Sequence, residues 1–373
     1  MTSSSFDVAV AGGGPIGLAC AWRAAGRGLR TVVLDAGDPG AWQVAAGMLA
    51  PVTEAAPGDA PLTELGLRSA RGFGAFCAEL SEVAGQDPGL RRTGTLVVAR
   101  DRDEAEALER LLAYRRELGL EVERLRPSQA RRAEPALAPT VRLALDVPGD
   151  HSVDPRRLVA ALAVAFERGG GTLRRARVAG VDTEGERASG LRLADGEVVH
   201  AAHVVLAPGT GEIELPDHAR VPVRPVKGQV LRLRDPRGPG LVSRTIRGPD
   251  GYLVPRADGR YVLGATMEER GWDTAPTAGA VYQLLRDMSE VVPGVLELEI
   301  EELSAGLRPA TPDNLPAIGP GALDGLVWAA GHFRNGILLA PVTADLVARA
   351  LCGEALPAWA AAADPRRFAG VPA

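Results

Sequence analysis

The first part of the chain combines two short apolar runs with a helical stretch between them. The run FDVAV at 6–10 is rich in β-branched residues and leads into glycines, as a buried strand does. The stretch PIGLACAWRAAGRG predicts a helix, because Pro15 suits a first turn and Gly26 and Gly28 suit its end. A second apolar run, LRTVVLD at 29–35, predicts another strand. The order strand, helix, strand indicates a βαβ unit.

Hydrophobic periodicity extends this alternation along the chain. Helical spacing predicts helices at 59–84, 101–118, 153–169, 276–289 and 336–353. Alternating or wholly apolar runs predict strands at 94–100, 171–185, 188–201, 203–209, through 221–260, at 296–305 and at 326–331. Asp154 with Pro155 directly after it predicts the start of the helix at 153–169.

Strand–helix alternation at both ends, with strand-rich sequence between them, predicts an α/β fold built discontinuously. A parallel-sheet domain would be assembled from residues 1–88, 147–216 and 305–373. A second, mostly antiparallel α+β domain would be inserted in two pieces, 89–146 and 217–304. The chain of 373 residues is long enough for two cores.

Composition and charge exclude several classes of function. The net charge is −5 and no basic block is present, which argues against a nucleic-acid partner. No uncharged apolar stretch reaches about 18 residues and no basic region precedes the first apolar run, so we expect neither a membrane span nor a signal peptide, and a cytoplasmic protein. Cys20, Cys77 and Cys352 lack pairing or metal spacing, and we expect reduced, buried thiols and no metal site. Of 42 basic residues 41 are arginines, so only position gives an arginine meaning.

A glycine fingerprint lies where the βαβ unit turns from strand to helix. Gly12, Gly14 and Gly17 have the spacing G-x-G-x-x-G, and Asp35 ends the next strand. Glycines there let backbone amides approach a pyrophosphate at a helix N-terminus, and the acid can accept hydrogen bonds from a ribose. The alternative is a glycine-rich turn that binds nothing. The fingerprint alone does not distinguish NAD from FAD.

Several further motifs together resemble one family. They are Ala45–Leu49 (AAGML), VDPRRL at 153–158, PVKGQ at 225–229, GYLVPR at 251–256, YVLGATME at 261–268, AGLRPATPDNLPAIG at 305–319 and GHFRNGILLAP at 331–341. With the fingerprint they resemble the FAD-dependent amine oxidases of the D-amino-acid oxidase superfamily, and within it the glycine oxidase family of thiamine biosynthesis. The likeness runs in order over nearly the whole chain. It implies a Rossmann-like FAD-binding domain with an inserted substrate domain.

The resemblance implies noncovalent FAD with its ring between the two domains. It assigns the pyrophosphate to the fingerprint and the ribose to Asp35. It assigns the flavin ring to one loop and the ring's pyrimidine edge to the start of the last helix, where a helix N-terminus would stabilise negative charge on the reduced flavin. The implied cofactor residues are Gly12, Gly14, Pro15, Ile16, Gly17, Asp35, Ala46, Gly47, Met48, Gly331, His332, Arg334, Asn335, Gly336 and Ile337. We interpret the His332 side chain itself as packing, because abstraction of hydride from a neutral amine needs no strong base.

The resemblance also implies an amino-acid site. Arg308 would bind the substrate carboxylate while Tyr252 and Arg334 close the pocket, since a planar fork of donors grips a carboxylate at two points and fixes Cα over the flavin. Met267 would lie near the flavin, where some oxidases of N-methyl amino acids carry a lysine. For Arg308 the alternative is an ion pair between domains, and for Lys227 we favour a structural salt bridge over catalysis.

The implied reaction is oxidation of glycine, and of small amines such as sarcosine or D-alanine, to glyoxylate, ammonia and hydrogen peroxide with O2 as acceptor. This activity would feed thiazole formation in thiamine biosynthesis. An alternative is a D-amino-acid or sarcosine oxidase or dehydrogenase of the same superfamily that uses another electron acceptor. A non-catalytic flavin-binding module or a nucleic-acid-modifying module is a further alternative, against which the missing basic patch and the pair Arg308 and Arg334 argue. The resemblance also implies a homo-oligomer, a tetramer.

Overall fold

A computed structural model describes residues 6–369. The helices are α1 Pro15–Gly26, α2 Ala41–Val44, α3 Ala60–Ala84, α4 Arg102–Glu117, α5 Pro127–Ala133, α6 Pro155–Arg168, α7 Ala278–Ser289 and α8 Gly336–Leu351, with 3-10 helices at Asp217–Ala219, Pro293–Glu297, Ala358–Ala363 and Pro365–Phe368.

The strands fall into three sheets. They are β1 Phe6–Ala11, β2 Thr31–Asp35, β3 Met48–Leu49, β4 Thr95–Ala99, β5 Glu123–Leu125, β6 Leu143–Val147, β7 His151–Ser152, β8 Thr172–Arg175, β9 Val178–Glu184, β10 Arg187–Leu193, β11 Val198–Leu206, β12 Arg224–Arg234, β13 Thr245–Arg247, β14 Tyr252–Pro255, β15 Arg260–Gly264, β16 Glu299–Ala310, β17 Ala317–Pro320 and β18 Leu326–Ala330.

The first large sheet has a parallel centre and carries the βαβ unit. Its main order is β17-β18-β11-β1-β2-β8, with β10 and β9 added antiparallel beside β11. The pairs β1–β2, β1–β11, β11–β18 and β2–β8 are parallel. Helices α1, α3, α6 and α8 cover one face with a continuous apolar core. This arrangement confirms the predicted α/β class.

The second large sheet is mostly antiparallel. Its order is β16-β12-β15-β14-β13-β4-β6-β5, and only β13 and β4 pair in parallel. Helix α7 packs against this sheet through Leu284 and Met288. The sheet draws strands from two separate stretches of the chain, 95–147 and 224–310, as expected of an insertion in two pieces. The domain boundaries themselves stay a prediction, and the one at 304/305 falls inside β16.

The predicted helices are present with small shifts of their ends. Asp154 does cap α6, because its carboxylate accepts hydrogen bonds from the amides of Arg156 and Arg157. Helix α5 and strands β5 and β6 were not predicted. The prediction that all three thiols are buried is wrong for Cys352, which is exposed just after α8. Within residues 6–369 no helix is long and apolar enough to cross a membrane.

Candidate active site

One cavity of about 1530 Å³ is lined by residues of both large sheets. Pockets for ordinary small ligands occupy roughly 300–1,000 Å³, so this cavity suits a dinucleotide together with a substrate. Every residue that the sequence assigned to cofactor or substrate lines it, with the exception of Gly17: Gly12, Gly14, Pro15, Ile16, Asp35, Ala46, Gly47, Met48, Tyr252, Met267, Arg308, Gly331, His332, Arg334, Asn335, Gly336 and Ile337. The proposed roles of these residues stay predictions.

The three fingerprint positions are occupied by glycine for different structural reasons. A Cβ on Gly12 would lie 2.2 Å from the carbonyl oxygen of Ala207, and a Cβ on Gly17 would lie 1.9 Å from that of Gly12. These two glycines therefore serve the close packing of α1 against strand ends. A Cβ on Gly14 would meet nothing nearer than Trp42 at 3.5 Å, so its side-chain space opens on the cavity.

Asp35 lies at the end of β2 and holds the glycine turn. Its carboxylate accepts hydrogen bonds from the amides of Gly13 at 2.6 Å and Gly37 at 2.7 Å. A carboxylate has about four acceptor positions, so two remain for ribose hydroxyls. With the uncapped N-terminus of α1 beside it, this end of the cavity has the donors and the acceptor that an adenosine diphosphate moiety requires.

The loop before β3 forms another wall of the cavity. Gly47 has a positive φ of 75°, and a Cβ there would lie 2.0 Å from the carbonyl oxygen of Val153, so only glycine fits. The buried Arg256 donates a hydrogen bond of 2.6 Å to the carbonyl of Ala46. This arginine lies behind the loop and was not singled out from the sequence.

The segment before α8 turns sharply into the helix. Gly331 has a φ of 73°, and a Cβ there would lie 2.3 Å from Thr311. Helix α8 begins without a side-chain cap, so its first amides face the cavity with the positive end of the helix dipole. His332 is buried with Nε2 2.9 Å from Thr343 Oγ1, and burial lowers its pKa to about 3. Its imidazole is therefore neutral and packs against Thr343.

Arg308 points its guanidinium into the cavity without a carboxylate partner among residues 6–369. One terminal nitrogen donates hydrogen bonds to the backbone carbonyls of Lys227 at 3.2 Å and Thr266 at 3.1 Å. Burial lowers the pKa of Arg308, and the nearby Tyr252 opposes that effect. Burial raises the pKa of Tyr252, so its phenol keeps its proton and can donate to an anion. Both side chains present hydrogen-bond donors to the same cavity, and their role in binding a carboxylate stays a prediction.

Arg334 has a different partner from the one expected. Its Nε lies 2.8 Å from the buried carboxylate of Glu54, which also pairs with Arg247. Burial opposes ionisation of Glu54, but Arg247 and Arg334 outweigh it and hold its pKa below the ordinary value. The anionic partner of Arg334 is thus a carboxylate of the chain itself. Glu54 and Arg247 both line the cavity and were missed, because nothing in the sequence pattern joins them.

Two other expectations concern Met267 and Lys227. Met267 lines the cavity and is 66% exposed, beside Trp272 at 55%. Lys227 is fully buried, and its Nζ donates to Asp273 at 2.7 Å and to the carbonyl of Ala275 at 2.6 Å. The salt bridge predicted for Lys227 is therefore present, and this side chain does not line the cavity.

Uncapped helix ends and a glycine turn in one large cavity fit a dinucleotide cofactor, and the unpaired guanidinium fits an anionic ligand. The family described as FAD dependent oxidoreductase (DAO) matches residues 7–350, and the chain belongs to it. The protein is an enzyme of the FAD-dependent amine and amino-acid oxidase class. The free amides at the N-termini of α1 and α8 and the carboxylate of Asp35 fit the donors and the acceptor that FAD requires.

Three relatives show which members of the family the chain is similar to. It is 35% identical to the glycine oxidase of Geobacillus kaustophilus over 92% of both chains, and the crystal structure of a glycine oxidase from that organism superimposes with a TM-score of 0.90, covering 96% of this chain and 98% of that one. It is 32% identical to the hydrogen cyanide synthase subunit HcnC of Pseudomonas aeruginosa over 99% of this chain and 98% of that protein. It is 34% identical to the bifunctional protein ThiO/ThiG of Synechocystis over 98% of this chain. The matched region covers about half of the length of that bifunctional protein.

Proposed function

We propose that the protein oxidises glycine, and more weakly or comparably sarcosine and D-alanine, to release glyoxylate from glycine. Glycine, water and O2 would give glyoxylate, ammonia and hydrogen peroxide. Two electrons leave the C–N unit of the amino acid, water hydrolyses the resulting imine, and O2 takes up the electrons. The similarity to glycine oxidase supports the substrate class.

The observation that carries the proposal is the unpaired guanidinium of Arg308. A partly buried charge without a counter-ion is costly, and an arginine fork matches a carboxylate in two places. Within the described part of the chain no acid pairs with it, so a substrate carboxylate would supply the missing partner. The Tyr252 hydroxyl would add a donor on the same side.

The remaining residues would orient the substrate and the cofactor. The α8 N-terminus and the loop at Ala46–Met48 would hold the flavin, which supplies the two-electron acceptor when bound. Neutral His332 would take no part in proton transfer. Arg334, whose charge is partly offset by Glu54, would close the pocket and contribute less to carboxylate binding than Arg308.

The pathway and assembly are part of the same proposal. Similarity to the bifunctional ThiO/ThiG protein supports a role in thiamine biosynthesis, where the product would feed thiazole formation. We propose a homotetramer on the resemblance noted above, and we propose a cytoplasmic location on the sequence pattern. Limited space beyond the substrate Cα would exclude L-amino acids. Once the carboxylate is fixed, a side chain has space in one direction only.

Two alternatives are separated by their products. A dehydrogenase of the same fold would reduce an artificial dye with glycine but form no peroxide. The similarity to HcnC favours a second candidate, a subunit of a hydrogen cyanide synthase. Cyanide formation with glycine would identify it.

The test is a peroxide assay over glycine, sarcosine, D-alanine, L-alanine and D-phenylalanine, with glyoxylate and cyanide measured in parallel. The proposal predicts peroxide and glyoxylate with glycine, and little product with the last two. Dye reduction without peroxide would favour the dehydrogenase. Absence of turnover with all five would contradict the proposal.

A further inference from the structure

Three consecutive residues of β12, Lys227, Gly228 and Gln229, lie next to the substrate site and have no role in the proposed reaction. We propose that they are positioning residues that fix Arg308 and the segment 266–277 at the cavity mouth, and so set both the grip on the carboxylate and the size of substrate. This inference rests on the proposed function and extends it. We call residues 266–277 the rim segment.

Gly228 makes room for the guanidinium of Arg308. A Cβ on Gly228 would lie 2.3 Å from both terminal nitrogens of Arg308, which is much shorter than a van der Waals contact. Strands β12 and β16 are neighbours, with Val226 opposite Arg308 in the register, so the arginine lies diagonally across Gly228. The guanidinium thus rests on bare backbone, and any side chain at 228 would displace it.

The backbone of the same strand also orients the guanidinium. The carbonyl of Lys227 accepts from Arg308 at 3.2 Å and from the amide of Glu268 at 3.0 Å. The carbonyl of Thr266 accepts from the same nitrogen of Arg308 at 3.1 Å. One nitrogen is therefore fixed by β12 and the rim segment together, which leaves the rest of the fork to face the cavity.

The side chains of Lys227 and Gln229 hold the rim segment. The Lys227 ammonium binds Asp273 and the carbonyl of Ala275. The Gln229 amide nitrogen donates to Glu268 at 2.8 Å, and its oxygen accepts from the amide of Thr277 at 2.8 Å. The rim segment is thereby tied at its start, middle and end.

The rim segment places two exposed apolar side chains at the mouth of the cavity. These are Met267 and Trp272, which face solvent and line the cavity. Because the ties run from the strand that also orients Arg308, the distance between the carboxylate grip and this apolar wall is set by one short stretch of chain. That distance limits the length of the substrate.

The experiment uses the FAD-loaded enzyme and reads carboxylate binding from the flavin absorbance, which needs no turnover. Acetate binding and Tm are measured for wild type, Gly228→Ala, Arg308→Ala and the double variant. We expect Gly228→Ala to weaken acetate binding roughly ten- to hundredfold with FAD content unchanged, because a small misplacement of the gripping group has a large effect. We expect its fall in Tm to disappear in the Arg308→Ala background, since contacting residues are not additive. Gly72→Ala in α3, whose new Cβ would meet no atom within 4 Å beyond its own helix backbone and chain neighbours, is the control for a Gly→Ala change away from the site.

A second variant tests the rim segment. Asp273→Asn removes the charge that pairs with Lys227 at a half-exposed position, so it leaves no hole in the core. We expect it to improve binding of valerate relative to acetate severalfold. Unchanged acetate binding in Gly228→Ala, an equal fall in Tm with and without Arg308, or an unchanged valerate-to-acetate ratio would overturn the inference. Failure of wild type to bind acetate would instead contradict the carboxylate site of the proposed function, while the Tm comparison would still test the contact between 228 and 308.

Discussion

Two guanidiniums face the same cavity with different degrees of neutralisation. Arg334 pairs with Glu54, whereas Arg308 contacts only backbone carbonyls among the described residues. Glu54 also pairs with Arg247, so it offsets the charge of Arg334 only in part. A guanidinium whose charge is partly offset attracts a substrate carboxylate less strongly than one that has no acidic partner. The difference makes Arg308 the better candidate for the carboxylate-binding residue.

Replacement of Arg308 tests that assignment. Arg308→Leu should lower kcat/KM with glycine by roughly 30-fold to several thousand-fold, because loss of one member of a desolvated charge pair costs about 2–5 kcal/mol. Arg308→Lys should also be poor, since a point charge does not replace the fork. Steady-state kinetics with FAD content as control measure both. Near-normal kinetics in the Leu variant would refute the carboxylate role.

Replacement of Glu54 tests the second guanidinium. The two arginines lower the pKa of Glu54, so its ionised form stabilises the fold fully above its ordinary value of 4.5, and this contribution is lost as pH falls through the lower folded-state value. Glu54→Gln should therefore lower the free energy of unfolding at pH 7 by about 1–3 kcal/mol, which is measured as a lower Tm. The difference in Tm from wild type should shrink below pH 4.5. A Tm difference that is the same at pH 7 and below pH 4.5 would contradict this.

At the residue scale, the motifs in the sequence pointed to residues that share one cavity, and the roles of those residues stay predictions. Arg308 and Tyr252 do line one cavity, as the resemblance implied. Glu54 was not predicted, because it lies in an irregular loop and its partner Arg247 is 193 positions away. Ion pairs over such separations depend on tertiary structure, and no periodicity in the sequence reports them.

At the scale of elements, two helix N-termini open on the cavity. Helix α1 has 12 residues and α8 has 16, and neither has a side-chain cap. Their free amides and dipoles favour anions, and a pyrophosphate and a reduced flavin are both anionic. The cofactor would therefore accept hydrogen bonds from the free amides at both helix N-termini.

A pair of glycine variants distinguishes cofactor contact from packing. Gly14→Val should leave the Tm of the flavin-free protein nearly unchanged, since its Cβ meets only Trp42 at 3.5 Å, while FAD affinity falls. Gly17→Val should lower the Tm of the flavin-free protein, because its Cβ would lie 1.9 Å from a carbonyl oxygen. Thermal unfolding and FAD titration measure the two effects. Full FAD content in Gly14→Val would remove the nucleotide assignment.

Elements with strong periodicity and clear ends were predictable, and short ones were not. Helices α3, α4 and α6 have long amphipathic patterns, and Asp154 marks the start of α6. Strand β5 has three residues, and α5 has seven with one buried, so neither presents a readable pattern. Strand β16 continues five residues beyond its predicted end, because pairing with β12 extends to Ala310.

At the scale of the whole molecule, interleaved segments of the chain build two sheets with a cavity between them. The cysteines are absent from the cavity lining, and burial raises the pKa of Cys77 to about 12. A covalent thioether to the flavin therefore has no donor at the site. This supports noncovalent FAD.

Acid or heat precipitation of the yellow protein tests noncovalent binding. We expect the flavin to appear in the supernatant, because only hydrogen bonds, packing and charge would hold it. Absorbance of the supernatant and of the redissolved pellet gives the distribution. Flavin that stays with the pellet would contradict the expectation.

The central claim is that glycine gives its electrons to the flavin and that O2 then removes them. The most direct measurement mixes the FAD-loaded enzyme with glycine without oxygen, follows the flavin absorbance, and then admits air. With glycine equimolar to the flavin, the account predicts bleaching, followed on air by recovery of the yellow colour and about one peroxide for each reduced flavin. Bleaching without peroxide would contradict the oxidase claim, and absence of bleaching by glycine, sarcosine or D-alanine would contradict amino-acid oxidation as a whole.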